Sequence, residues 1–530
     1  MIDRIINSAI GNRWLVMAAV AAFSVFGYFQ YERLPIDAVP DITNVQVQIN
    51  TQAPGYSPLE AEQRVTFLVE TAMAGLPKLE STRSISAYGL SQVTVVFKYG
   101  TDIYFARQMV NERLQEVKGQ LPEGVAPEMG PVSTGLGEIY LYSVVAAPGA
   151  RKPNGTEYTS TDLRSIQDWI IRPQLRQVAG VSEVNSIGGN AKQYQVAPDP
   201  ARLLAYGVTL GDLVKALEAN NLNVGAGYIE TNGEQKLVRV PGQITDTEAL
   251  RRAVIATRNS IPVTVGDVAE VGIGKELRSG AATRDGKETV LGTALMLIGE
   301  NSRIVSQRVA NRLVEINKTL PAGIKAEPVY DRTVLVNKTI ATVQKNLLEG
   351  AILVIVVLFA FLGNLRASLL TALVIPLSLF ATFTGMVSSQ VSGNLMSLGA
   401  LDFGLIVDGA LIIVENCILR LAQSQHERGR LLERSERFGV VYNATREVFR
   451  PSLVSVIVII LVNLPIFALT GVEGKMFRPM AFAVIAALVG AFIFSITFVP
   501  AACAMLLSGK VQEKDNFLVR GAKRVYEPLL

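Results

Sequence analysis

Hydrophobic and polar positions along this chain follow two regimes. Apolar runs cover residues 14–29, 346–363, 367–386, 395–419, 452–469 and 480–507. At about 1.5 Å per helical residue, such runs approach or exceed the ~30 Å of a bilayer's hydrocarbon core, so six spans are expected. Between the first and second runs the pattern becomes globular. Residues 44–50 (NVQVQIN) alternate with period two and predict a strand; 58–76 predict a helix, 84–88 and 92–98 two more strands, and 102–121 a second helix. A second set begins with strand 139–146, passes the Gly/Pro/Asn-rich loop 149–155, and continues with helix 161–178 and strand 181–186. Strand 289–297, helix 302–319 and strand 324–330 complete it. Both sets read as split βαβ units of ferredoxin-like type.

An insertion interrupts the second set. Helix 210–219 leads to GYIETNGEQKLVRV (227–240), where Asn232-Gly233 between β-rich runs predicts a tight hairpin. With little core of its own, this hairpin reads as a contact arm. The fold class is therefore an α-helical polytopic membrane protein with six transmembrane helices and a large α+β extracytoplasmic domain. The expected division is an interfacial helix and first span (1–33), a first subdomain (34–135), a second (136–190 and 272–335), an insertion (191–271) carrying the 227–240 hairpin, five more spans (336–507) and an amphipathic segment (508–530).

Ile2, Ile5, Ile6, Ala9 and Ile10 recur at helical spacing and predict a short helix lying in the membrane interface. The run after Arg13 continues into Tyr31, Glu32 and Arg33 without a clear cleavage site and reads as an uncleaved span; the AVAA stretch leaves a signal peptide as the alternative. Arg366, the loop with Arg428, Arg430, Arg434 and Arg437, and the tail with Lys510, Lys514, Lys523 and Arg524 alternate with a connection, 388–394, free of Lys and Arg. That bias places the basic side in the cytoplasm and the large segment outside, with Lys475 and Arg478 as the exception. Val511 to Tyr526 repeats the amphipathic character of the N-terminus, and a seventh span is expected to follow. One span, a large loop and five more spans correspond to half of a two-repeat transporter.

Composition narrows the choice. The chain is 49% hydrophobic with mean hydropathy +0.31, which fits neither a soluble enzyme nor an all-membrane protein. A net charge of +4, without basic runs interleaved with aromatics, argues against nucleic acid as a partner. Both cysteines, Cys417 and Cys503, lie in apolar runs, so the large loop has neither a disulfide framework nor a thiolate metal site. The single histidine, His426, falls in the basic loop and reads as solvated. No phosphate loop, Cys/His cluster or Ser/His/Asp arrangement appears, and the chain is expected not to be an enzyme.

The chemistry concentrates in LMSLGALDFGLIVDGALIIVENCILR (395–420), an apolar run holding Asp402, Asp408 and Glu415. An Asp near the bilayer centre disfavours insertion by roughly 2.5–3.5 kcal/mol, far more than one Leu or Ile returns, so these acids are expected to face protein and not lipid. Asp408 and Glu415 are two helical turns apart on one stripe, about 10 Å, with Asp402 some 120° around the axis. Ala400, Gly404, Gly409 and Ala410 are expected to admit neighbouring helices on the same side. The three acids are a candidate proton relay. Glu349, near the outer end of its span, reads as interfacial.

The quoted helix, with LPIDAVPDITNVQVQIN (34–50), APGYSPLEAEQRV (53–65) and GPVSTGLGEIYLY (130–142), resembles the N-terminal half of resistance-nodulation-division (RND) exporters. Within them it is most similar to the heavy-metal branch of cobalt-zinc-cadmium type, whose motif resembles DFGxxxDGAxxxVEN, here residues 402–416. The resemblance covers essentially the whole chain. It implies that drug exporters carry two adjacent acids where this chain has Asp408-Gly409 and lack an acid at Asp402. Copper and silver pumps also lack that acid and carry Trp in place of Glu138, whereas divalent-cation pumps match this chain at both positions. Borderline cations such as Zn(II), Co(II), Cd(II) and Ni(II) accept carboxylate, and Met73, Met109, Met129 and Met296 occur singly as core filling, not as ligands for soft metals.

Glu138, between glycines and a strand, is the candidate metal ligand; an exposed acid at a strand start is the competing reading. The resemblance further implies a proton/cation antiporter of the bacterial inner membrane with its large loop in the periplasm. It implies a homotrimer joined to a periplasmic adaptor (membrane fusion) protein and an outer-membrane channel, with the hairpin as an intersubunit arm. No resident cofactor is expected; the metal is cargo and protons are the coupling ion. In the family a lysine from the other half partners the acids, so the 530 residues alone are expected not to transport. An RND exporter of organic compounds and a non-transporting fragment or assembly module are the alternatives.

Overall fold

The structure is a computed structural model that describes residues 2–507 apart from 38, 39, 241, 259, 277 and 279; the amphipathic segment expected at 508–530 lies outside the described residues. Two compact units result. One comprises residues 1–139, 296–308 and 331–530, the other 140–295 and 309–330.

In the first unit, six helices among the described residues are long and apolar enough to cross a membrane: Arg13–Arg33, Arg332–Leu362, Leu365–Ser388, Leu395–Arg428, Arg434–Ala468 and Gly471–Leu506. Several outrun the apolar segments that announce them, because polar residues continue a helix past the hydrocarbon edge. The fourth reaches Arg428 and the fifth starts at Arg434, which shrinks the expected basic loop to residues 429–433 and moves His426 into a helical last turn. Gly429, with φ 62°, ends the fourth helix in a left-handed cap.

Burial separates the six. In the third, fourth and sixth helices 56%, 50% and 56% of the apolar window is buried, against 6% in each of the other three, so those three form the centre of the bundle. Small residues set the spacing: a Cβ on Gly490 would stand 2.7 Å from Ala381, and one on Gly27 would strike Phe380 at 2.4 Å. The N-terminal helix Ile2–Gly11 buries Ile6, Ala9 and Ile10, and Arg446 on the fifth span reaches its Asp3 at 3.2 Å.

The same unit holds the first α+β subdomain. Strands Leu79–Ala87, Leu90–Phe97, Val45–Gln52 and Pro127–Met129 form an antiparallel sheet in that order. Val47, Ile49, Val93 and Val95 point from it into a core shared with Val65, Val69 and Met73 on one helical stretch and Ala106, Val110 and Leu114 on helix Ile103–Val117. The expected continuous helix 58–76 contains a π-helical turn, Glu62–Thr66. Lys475 and Arg478, the exceptions to the charge bias, hold the N-terminal end of the sixth span against this subdomain. Lys475 donates to the Thr43 carbonyl, and Arg478 stacks 5.1 Å over Tyr99.

In the second unit, Ala282–Arg284, Lys287–Met296, Glu138–Ala146 and Ile324–Asp331 pair in that order, with Val181–Ile187 also on Lys287–Met296. The insertion has a core of its own: Val208, Leu213, Leu250, Val263, Val268 and Val271 pack together. Strands Lys192–Pro198 and Ala269–Lys275 carry the chain into and out of it, and the expected boundary at 271/272 falls inside the return strand. The arm is the hairpin Val224–Thr231 and Glu234–Val240; positive φ at Asn232 (55°) and Gly233 (76°) makes the mirror-image turn that matches strand twist.

Candidate functional site

The acidic segment is not one continuous helix. Asn394 caps a single turn, Leu395–Gly399, its side chain accepting from the Ser397 N–H at 2.9 Å. The chain then breaks, and Asp402 caps the long helix Phe403–Arg428, its Oδ1 accepting from the Gly404 N–H at 2.8 Å. Asp402 therefore stands at the positive end of a helix dipole, not 120° around a helix axis as the continuous reading required. An Asp three residues after Gly399 is a helix stop followed by a cap, a signal present in the sequence but masked by the unbroken apolar run.

The long helix has two unlike faces. Phe403, Ile406, Val407, Ala410, Ile413, Val414 and Cys417 are buried against neighbouring spans. Gly409 lies on that packed face; a Cβ there would sit 3.3 Å from Ser452 Oγ and 3.6 Å from Ser495 Oγ, so the fifth and sixth spans close in because it has none. Asp402, Asp408 and Glu415 are all exposed, on the face that no described helix covers. This corrects two expectations. The acids do not point into the interior of this chain, and Gly409 and Ala410 admit helices on the opposite side from them. The helical period decides both, since 409 and 410 follow 408 by 100° and 200°.

One cluster fixes the rotation of this helix and was not singled out from the sequence. Asn416 donates to the Ala444 carbonyl at 2.8 Å and to Glu447 at 3.2 Å, while Arg420 grips Glu447 with two bonds of 3.0 and 2.5 Å. A bidentate Arg–carboxylate pair plus an amide is a directional clamp. Its partners are 27 residues apart in the chain, so only folding joins Arg420 to Glu447.

One helical turn before the break, Gly393–Asn394 pairs in parallel with Ile36–Asp37, and Asp37 accepts a hydrogen bond from Ser302 at 2.5 Å. The break beside Asp402 is thus tied to the backbone that leaves the first span. Glu349 is exposed and sits 3.8 Å from Lys345.

Glu138 opens strand Glu138–Ala146 after the tight turn Gly135–Gly137. A Cβ on Gly137 would overlap Ser133 Oγ at 2.1 Å and stand 3.2 Å from the Met296 carbonyl oxygen, so the turn is tightly packed there. The Glu138 side chain is exposed, and among the described residues no three His, Cys, Asp or Glu side chains cluster as metal ligands. The structure does not bring Glu138 together with the three acids of the long helix.

The model of the AcrB/AcrD/AcrF family matches residues 5–530. The cobalt-zinc-cadmium resistance protein CzcA of Cupriavidus metallidurans is 63% identical over 530 residues, covering 100% of this chain and 50% of that protein. The nickel and cobalt resistance protein CnrA of the same organism is 50% identical over 554 residues, covering 100% of this chain and 52% of that protein. A crystal structure of a heavy metal efflux pump superposes with a TM-score of 0.85 at 33% identity, covering 99% of this chain and 50% of that one. The chain spans about half the length of the curated relatives it matches.

Proposed function

The chain belongs to the AcrB/AcrD/AcrF family, and from that premise we propose that it forms about half of a proton-driven exporter of divalent heavy-metal cations. The cargo class is Zn, Co or Cd, with Ni as a further member, in keeping with the metals named for its relatives. The observation that carries the reading is the open face of Phe403–Arg428. Asp408 and Glu415 within the apolar helix and Asp402 at its start are too costly against lipid, and the buried face has no room for them, so the rest of the pump covers them and supplies the countercharge.

Asp402 links protonation to shape. As a carboxylate it makes a charge-assisted cap; once protonated it is a poorer acceptor, and the helix start loses up to about 1 kcal/mol of support. The break at 400–402 then flexes, and the Gly393–Asn394 ladder carries the movement to Ile36–Asp37 and Ser302. Asp408 and Glu415 continue the stripe toward the cytoplasmic end. Glu138 supplies one metal ligand, the remaining donors lying outside the described cluster-free surface. The working assembly is a homotrimer in the bacterial inner membrane, joined through a periplasmic adaptor to an outer-membrane channel, with the 224–240 hairpin as an arm between subunits.

The test is metal uptake into inverted vesicles driven by a pH gradient, with the full-length protein and its Asp408→Asn variant. Gradient-dependent uptake of Zn, Co or Cd that vanishes in the variant is expected; normal pumping by the variant sinks the relay. Uptake of organic dyes in place of metal moves the chain to the other exporter class.

A further inference from the structure

The second unit carries a feature to which the proposed function assigns no role. Helix Ser160–Ile166 runs into a π-helical turn, Gln167–Ile171, and then helix Arg172–Arg176. The extra residue of a π turn changes which side chains face inward. Gln167 is fully buried, bonded to Tyr142 Oη at 3.0 Å, while the neighbouring Trp169 is left 82% exposed. Two adjoining clefts of about 440 and 960 Å³ share Trp169, Ser165 and Lys192.

Their charge is one-sided. The described lining residues include Lys152, Arg164, Arg172, Arg176, Lys192 and Lys275 against only Asp162 and Asp168. The arginines are engaged: Arg164 with Asp168 at 2.6 Å, Arg172 and Arg176 with Glu183 at 3.2 and 3.5 Å. Lys152 bonds Asp162 at 2.8 Å. Burial raises the Asp162 pKa, but hydrogen bonds from Lys152 and the Thr159 cap outweigh it and hold this carboxyl below its usual range.

Among the described residues, Lys192 and Lys275 form no ion pair with an acid. They are directly opposed in the antiparallel ladder between Lys192–Pro198 and Ala269–Lys275, the arrangement in which like charges repel most. Lys192 lies 5.4 Å from the Tyr194 ring. Two buried polar atoms beside them are also unmatched, Thr161 Oγ1 and Arg172 Nε.

We propose that this cleft docks an acidic segment of a partner protein, whose carboxylates bridge Lys192 and Lys275 and whose apolar or aromatic side chain covers Trp169. A lone phosphate fits less well, because each of the three arginines already faces a carboxylate, and the cations without one among the described residues are lysines along an open cleft with an aromatic wall. Bridging carboxylates turn a repulsive cross-strand pair into an attractive triad, and Thr161 lies ready to donate to one of them.

Trp169 is one of only two tryptophans in the chain, the other being Trp14 in the first span, so its fluorescence reports the cleft. The probe is a peptide with several glutamates around a tyrosine, titrated at low salt against the purified 530-residue chain in detergent; its glutamine analogue, pyrophosphate and a single-stranded oligonucleotide are titrated in parallel. The acidic peptide is expected to change Trp169 emission, and to bind roughly tenfold more weakly to Lys192→Gln/Lys275→Gln and to lose binding at high salt. That double variant is expected to melt no lower than the parent, because it removes a repulsion; Trp169→Phe is expected to bind but without the emission change. Binding that ignores the double substitution, an equally tight glutamine analogue, or tighter binding of pyrophosphate or oligonucleotide overturns the proposal.

Discussion

The acid-bearing face of the fourth span and the basic cleft around Trp169 both place charge where local rules disfavour it, and they differ in what surrounds the charge. Asp408 and Glu415 sit on an apolar helix whose other face is filled by Ile406, Ala410 and Ile413. Lys192 and Lys275 sit at a strand end in a wide, open cleft. Hydrocarbon cannot solvate a carboxylate, so the first charges demand a permanent protein cover; water and salt solvate the lysines, so the second can wait for a partner. The same violation is therefore obligatory in one place and reversible in the other.

That contrast can be broken at four points. The largest effect is expected at Asp408: replacing it with Asn removes the titratable group without changing its size, and gradient-driven metal uptake by the full-length protein should fall at least ~100-fold. The same change should leave the fold of the chain intact by circular dichroism, because the Asp408 face is not packed by the described helices. Next comes the packed face. Gly409→Leu forces a side chain between Ser452 and Ser495 and should destabilise the chain in detergent by about 1–3 kcal/mol, seen as a lower thermal midpoint.

Asp402→Ala should be milder, about 1 kcal/mol from the lost cap, and should raise hydrogen exchange at Gly404 and its neighbours while sparing the Arg420–Glu447 end. Smallest is Lys275→Gln, expected to raise stability by a few tenths of a kcal/mol through relief of the cross-strand repulsion. If Gly409→Leu proves milder than Lys275→Gln, the distinction between packed and open faces is wrong.

Much of this molecule is readable from periodicity. Helices Leu210–Ala219 and Ser302–Thr319 begin and end where the pattern predicts, because the Thr209 and Asn301 side chains accept from backbone N–H groups of the first turns and the apolar spacing is regular. The hairpin at Asn232-Gly233 is equally legible, since only a primed turn suits that dipeptide. Strands Lys192–Pro198 and Ala269–Lys275 were not predicted. Their burial is uneven, with Tyr194 and Ile273 exposed, so the alternation that marks a half-buried strand is weak. The π turns at Glu62–Thr66 and Gln167–Ile171 leave no simple period, because each shifts the phase of a helix midway.

The sequence by itself determined that three acids lie in a run too apolar to tolerate them and that six apolar runs are interrupted by a large globular loop. Those are local quantities, set by composition and spacing. Only the tertiary structure decided which side of the helix the acids occupy, that Asp402 is a cap at a break, and that Arg420 and Asn416 are locked to Glu447. The reason is that a helix pattern fixes angles about an axis but not what stands around it; neighbours come from residues far along the chain, and their packing selects the rotation.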